Sequence, residues 1–509
     1  MPALEIERDR PRRVERRVTC VSHGRREYGK TPAGSRRIRK PHSMMERTFA
    51  ALLVCSLSSA CGDPPHAGPT EKPQLAESAA SAETSANPSA SADQDDLTPP
   101  APRAPEQAHR AVGFRPTGEL LRACSLRSPV CVHFAADLAG SATAALEAAD
   151  ETFATLDALK LPRPLADGAL GGDSRLDLYL DGAREGAVAI GDIGGAVPNL
   201  DRTSAFIVAE PPRVGCAPAL SIASAISGAM LLGQDAALGP GVLTMLGDRL
   251  GVLAAPCGVA QDLAVDTAQR APDRTLVGTD EDPAPASFLF PECLEDRFGT
   301  DEPGKLTVAL AAISGQRTPA GKELVDEPDV FDALRVTQRV RKTSIADTVL
   351  DFAVDRAFLG SRSDDAHMID VARYGDFGRP RFEWSVTHAS LPRRLAPARP
   401  VEPLGATYLF VDMTKSQLPT EVTFVADWEA PVAFRWAVLE LDEAGMQTAR
   451  TDVVAVLGET HVEKSFRDLH GAASLVIVGV NEGEARRDEP FDPDLVRETA
   501  HGYTVTLYP

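Results

Sequence analysis

The sequence predicts two folded parts in series, an α+β domain over residues 111–399 and an antiparallel β-sandwich of immunoglobulin-like kind over residues 400–509. Three observations carry this. Helix-period runs follow strand-like alternation in the first part, as in a domain that segregates its helices from its sheet. Seven short alternating runs, from ATYLFVDM through ASLVIVGVN to GYTVTLY, crowd the last hundred or so residues at turn-sized intervals. Between the two lies the Pro- and Arg-rich stretch LPRRLAPARPVEP.

In chain order, Ser141 is placed to cap a helix in which Leu146, Ala149, Phe153 and Leu156 recur at spacings of three and four. Pro and Gly punctuation in LPRPLADGALGGD then leads into an alternating strand, Arg175 to Asp181. A second strand, SAFIVA at Ser204–Ala209, precedes a small-residue helix from Ala219 to Leu232. Further helices are expected over Val242–Ala254, Ala286–Phe298, Thr307–Ser314 and Ser344–Leu359. The last has Ser344 as cap, Ile345, Val349 and Phe352 on one face, and Gly360 as stop. In the sandwich, Tyr408, Phe424, Trp428, Phe434 and Trp436 are expected in the core.

The 509 residues carry 53 Lys and Arg against 73 Asp and Glu, a formal net charge of −20. That excess of acid repels nucleic-acid phosphates, so no nucleic-acid partner is expected. No run of about 18 apolar residues occurs, which excludes a multi-span membrane protein. The charge is uneven: residues 1–43 form an Arg-rich leader of net +8, a possible mis-assigned start ahead of Met44 or Met45. Residues 44–60 follow with Arg47, the apolar run Phe49–Leu57 and small residues before Cys61, the layout of a secretory signal peptide. Two readings of the cleavage region stand: lipidation of Cys61, or ordinary cleavage after small residues, since Ser58 occupies the place where a lipoprotein signal usually has Leu. Residues 61–110 are Ala, Ser, Pro, Glu and Asp with almost no large apolar side chain, a linker unable to offset its ordering entropy. The expected location is therefore an exported lipoprotein of a bacterium, facing the periplasm or outer membrane and held to the membrane by a lipid anchor, with a surface or envelope protein as partner.

An oxidising compartment allows disulfides, and spacing allows Cys124 with Cys131 and Cys216 with Cys257, leaving Cys293 over. No C-x-x-C pair supports structural zinc. Gly24 to Thr31 fits a phosphate-loop pattern, but an Arg-rich lead-in and Pro32 remove the strand and helix the motif needs.

The order of amphipathic helix, PRPLADGALGGDSRLDLYLD, SAFIVA, helix, SFLFPECLEDRFG and DEPDVFDALR resembles secreted bacterial zinc metalloproteases of the H-E-x-x-H (zincin) type over roughly residues 115–360. The resemblance implies a zincin-like domain in which two His one turn apart hold zinc and the intervening Glu activates water. No H-E-x-x-H occurs here. Aligning the Leu231-Leu232-Gly233 ending places Ser224, Ala225 and Gly228 where His, Glu and His would stand, and none can ligate zinc.

No replacement constellation stands out, so no catalytic, cofactor-binding or metal-ligating residues are assigned. His133 reads as a satisfied core histidine, His367 beside Asp364, Asp365 and Asp370 as part of a solvated acidic loop, and His388 as a strand end. Asp173, Asp177 and Asp181 fit loop and edge solvation. G-x-S-x-G is absent. The expected function is a non-catalytic, degenerate metalloprotease-like lipoprotein with a sandwich interaction module. Two alternatives remain: an active hydrolase using Asp262, Asp266, Glu292 or Glu295 as carboxylate ligands, and a purely structural envelope lipoprotein.

Overall fold

The computed structural model describes residues 6–8, 112–196, 201–278, 284–299, 302–315, 328–360, 366–368, 379–414, 421–456, 458–484 and 500–509. The signal-like segment, Cys61, the linker, the Gly24–Thr31 motif and the acidic residues around His367 lie outside them. The chain is α+β, and among the described residues no helix is long and apolar enough to cross a membrane.

The first sheet contains β1 (Ile6–Arg8), β2 (Val112–Gly113), β3 (Leu121–Cys124), β4 (Val130–Phe134), β5 (Leu176–Leu180), β6 (Ala187–Ala196) and β7 (Thr203–Ala209), in the order β1-β3-β4-β5-β7-β6-β2. Strands β4, β5 and β7 run parallel, β6 returns antiparallel to β7, and β2 adds parallel to β6 only at Gly191 and Asp192. Helix α1 (Ala139–Ala158) makes the crossover from β4 to β5, and together with helix α2 (Ala217–Leu232), which follows β7, it covers one face, where Val130, Val132, Leu178, Leu180, Ala205 and Ile207 are buried. Alternation sends Cys131, His133, Asp177, Tyr179 and Phe206 to the opposite face. Helix α1 starts at Ala139, two residues before the expected cap. Ser141 sits inside it and donates to the Pro212 carbonyl.

Helix α3 (Pro240–Ala254) lies tightly against α2 because glycines line the contact: a Cβ at Gly251 would fall 2.8 Å from Ser224 Cα. Helices α4 (Gly258–Arg270), α5 (Leu289–Phe298), α6 (Lys305–Ser314), α7 (Val330–Arg341) and α8 (Ile345–Arg356) follow. Helix α8 opens with a full capping box: Asp347 N–H donates to Ser344 Oγ, and Ser344 N–H donates to the Asp347 carboxylate. The disulfides Cys124–Cys131 and Cys216–Cys257 are both formed, the second tying the start of α2 to the start of α4, while the Cys293 thiol is buried.

The C-terminal sheets pack face to face. One has the order β13 (Gln447–Val454), β12 (Val432–Leu441), β15 (Ser474–Glu484), β10 (Ala406–Asp412), β8 (Trp384–Thr387). The other runs β14 (His461–Phe466), β11 (Val422–Trp428), β16 (Tyr503–Tyr508), β9 (Arg393–Leu395). Phe424, Trp428, Phe434, Trp436 and Tyr503 interlock between them. Two strands, β8 and β9, come from before residue 400. Tyr408 points away from this core: it joins the first core through the outer face of the five-stranded sheet, and its hydroxyl donates to the Ala353 carbonyl of α8 at 2.7 Å.

Candidate functional site

The three residues aligned with the metalloprotease motif stand together on α2. Ser224, Ala225 and Gly228 line a cavity of about 80 Å³ whose other walls are Ala187, Val188 and Ala189 of β6 and Pro240, Leu243, Thr244, Gly247 and Asp248 at the start of α3. Small side chains leave this space. They also set its limits: a Cβ at Gly228 would lie 3.2 Å from the Ala189 Cβ, so an imidazole at that position requires β6 to move.

One ionisable side chain, Asp248, lines the cavity. It keeps part of its surface open to it, yet protein surrounds it, and loss of solvent pushes the carboxyl up to about 6; the hydroxyl of Ser224 donates to the carboxylate and partly opposes the shift. Its neighbour Arg249 turns the other way. Its guanidinium meets Glu295 at 2.7 Å and Glu292 at 3.2 Å, all three side chains being buried. Glu292 and Glu295 thus converge on a cation already in the chain. Asp266 pairs with Arg270 one turn on, and Asp262 lies partly exposed on α4, so these four carboxylates do not gather at one point. Asp248 itself was not singled out by sequence, because only the α2–α3 contact brings it to Ser224.

A second polar cluster lies on the opposite face of the first sheet. Arg115, in the segment leading from β2 to β3, reaches over the sheet and grips Asp192 through two hydrogen bonds of 2.8 Å, Asp167 at 2.6 Å, and Asp177. His133 Nε2 meets Asp177 Oδ1 at 2.7 Å, its ring stacks on Tyr179 with centroids 4.5 Å apart, and Ser204 Oγ donates to Asp192. Burial opposes the charge of Arg115, but the hydrogen bond to Asp192 and the surrounding carboxylates outweigh it and hold the guanidinium above its ordinary pKa. Burial, with the charge of Asp177 behind it, pushes the Tyr179 phenol up to about 12.

His133 is therefore a satisfied interior histidine, as expected. Asp177 is not edge-solvated: it is fully buried on a central strand, and its charge is held by Arg115, 62 residues away in sequence. Asp173 does stay half-open beside Arg122, and Asp181 is an exposed turn residue that accepts from Ala183 N–H. His367 stacks on Phe358, and His388 Nε2 lies 3.0 Å from the Glu421 carbonyl. The group Cys124, Cys131 and Asp173 lies close enough for a metal, but its two thiols are spent in the disulfide.

No protein-family model matches the chain, and no curated protein matches it. Among solved structures, the chain is similar to the pre-peptidase C-terminal domain of collagenase from Bacillus anthracis, at 8% identity and a TM-score of 0.17, over 25% of this chain and 98% of that one. A mitogen from Yersinia pseudotuberculosis matches at 9% identity and a TM-score of 0.15, over 23% and 86% of the two chains. Chitosan-binding module 1 of a chitosanase/glucanase from Paenibacillus sp. IK-5 matches at 20% identity and a TM-score of 0.14, over 23% and 76%. Likeness at this level carries no argument about what the chain does.

Proposed function

We propose that this chain is an exported, lipid-anchored, non-catalytic protein in which a metalloprotease-like α+β domain has lost its zinc chemistry and, with the sandwich beside it, serves recognition at the cell envelope. The observation that carries this reading is the composition of the α2 cavity. Where the resembled enzymes set two imidazoles and a carboxylate on one helix, Ser224, Ala225 and Gly228 leave only hydroxyls and one carboxyl, Asp248. Zinc in a catalytic site takes three protein ligands, usually imidazole-rich, plus water. A single carboxylate does not amount to that donor set, and a water held there without a metal keeps its high pKa. The signal-like segment before Cys61, the linker after it and two formed disulfides agree with export.

The test is metal analysis of the purified full-length chain together with a peptide-cleavage assay with and without added zinc. The expected result is substoichiometric zinc and no metal-dependent cleavage. Stoichiometric zinc with cleavage that a chelator abolishes overturns the reading.

A further inference from the structure

We propose that the α2–α3 cavity is a binding site for a protonated primary amine, held by Asp248 with the hydroxyls of Ser224 and Thr244. The proposal rests on the reading of this cavity as a former metal site and names what the remaining groups recognise.

The groups match the ligand in number and charge. An ammonium has three donors and no acceptor. The cavity is lined by one carboxylate residue and two hydroxyl residues, far from the six to eight oxygens of a calcium site or the imidazole-rich set of a zinc site. Its volume of about 80 Å³ leaves room for a compact –CH2–NH3+ head. The walls from Ala189, Ala225 and Leu243 are apolar, so methylene groups leading to the amine bury against carbon.

The site also lacks the compensation found elsewhere in the fold. Asp177, Asp192, Glu292 and Glu295 each have an Arg against them, whereas the partly exposed Asp248 has, among the described residues, only the Ser224 hydroxyl, and the adjacent guanidinium of Arg249 is committed to Glu292 and Glu295. An ionised carboxylate enclosed by protein without a counter-charge is unfavourable, and an incoming cation relieves that cost where a neutral ligand does not. Charge complementarity therefore selects an amine over an alcohol of the same shape.

Two sources present this chemistry, a small alkylamine and the side chain of a lysine in a peptide. The experiment titrates the metal-free full-length chain with pentylamine, with 1-pentanol, and with an N-acetylated pentapeptide carrying one central lysine or norleucine, followed by ligand-observed NMR or calorimetry. The expected result is saturable binding of pentylamine, the lysine peptide or both, each at least about tenfold tighter than its neutral counterpart. Asp248→Asn should weaken that binding about tenfold or more while the thermal midpoint stays level or rises, which separates loss of the site from loss of the fold. Binding of the peptide alone assigns the site to lysine, and binding of pentylamine alone to a small amine. Equal binding of amine and alcohol, unchanged affinity in Asp248→Asn, or no binding of either amine overturns the proposal. Because zinc content and cleavage are measured separately, an inactive chain that fails to bind amine leaves the non-catalytic reading standing, and an amine-binding chain with zinc-dependent cleavage does the reverse.

Discussion

Two polar clusters flank the same sheet, and they are built to opposite ends. Around Arg115, three carboxylates share one guanidinium, and an imidazole and a serine hydroxyl bond two of those carboxylates in turn. Around Asp248, a single carboxyl faces open space with one hydroxyl for company. The first arrangement is complete within the chain and so reads as architecture, fastening the segment before β3 to the sheet. The second is complete only when something else arrives. Buried charge by itself therefore does not mark a binding site; buried charge without its partner does.

The sharpest way to break this contrast is to make the first cluster resemble the second. Arg115→Met leaves Asp167, Asp177 and Asp192 around an apolar stem, and chemical denaturation should show a loss of about 3–5 kcal/mol, the usual consequence of stripping one partner from a buried ion group. A loss below about 1 kcal/mol would mean water already reaches these carboxylates. At the other cluster the sign inverts. The Asp248 carboxyl at about 6 lies above its ordinary 3.8, so the folded state binds a proton more readily than the unfolded one, and stability falls as pH rises from about 4 to 6 and stays low above. Asp248→Asn should flatten that part of the pH–stability curve and stabilise the protein at pH 7 by up to about 3 kcal/mol, read from thermal unfolding across pH. A curve that keeps its slope in the variant would show that another group titrates.

Smaller changes sharpen the comparison. His133→Phe keeps the stack on Tyr179 but removes one hydrogen bond to Asp177, which Arg115 still holds; a loss of about 1–2 kcal/mol is expected in denaturant unfolding. Ser224→Ala removes the donor to Asp248 and should cost about 1 kcal/mol at neutral pH, shrinking towards zero below pH 4, where the carboxyl carries its own proton. An equal cost at both pH values would place the serine's contribution in packing.

How much of this was visible in the residues depended on how local the cause was. Helix α8 is legible because Ser344 and Asp347 sit three apart ahead of an apolar stripe, and the box they form closes within one turn. The sandwich strands are legible because each alternates, Val422 to Trp428 burying every second residue. Both disulfides were among the pairings that spacing allowed. Strand β6 was missed: three Ala, three Gly and an Asp dilute Val188, Ile190 and Ile193 in its run and it has no aromatic side chain, so the strand signal is weak, and it forms because β7 lies beside it. Asp177 looked like an edge residue for a similar reason. Its alternation with leucines suggests one wet face, and only Arg115, folded across from elsewhere, keeps that face dry and charged. Asp248 carries no local signal at all, because its significance lies in the glycine-lined approach of two helices.

The five-stranded sheet has a practical consequence for anyone who wishes to handle the C-terminal module alone. Its outer surface, with Ala406, Tyr408, Leu439, Val476 and Val478, is roofed by α8, and two of the module's strands begin before residue 400. A gene cut at the change in composition would produce a sticky fragment missing two edges. The soluble piece to express starts upstream of Ile345 and brings its own lid.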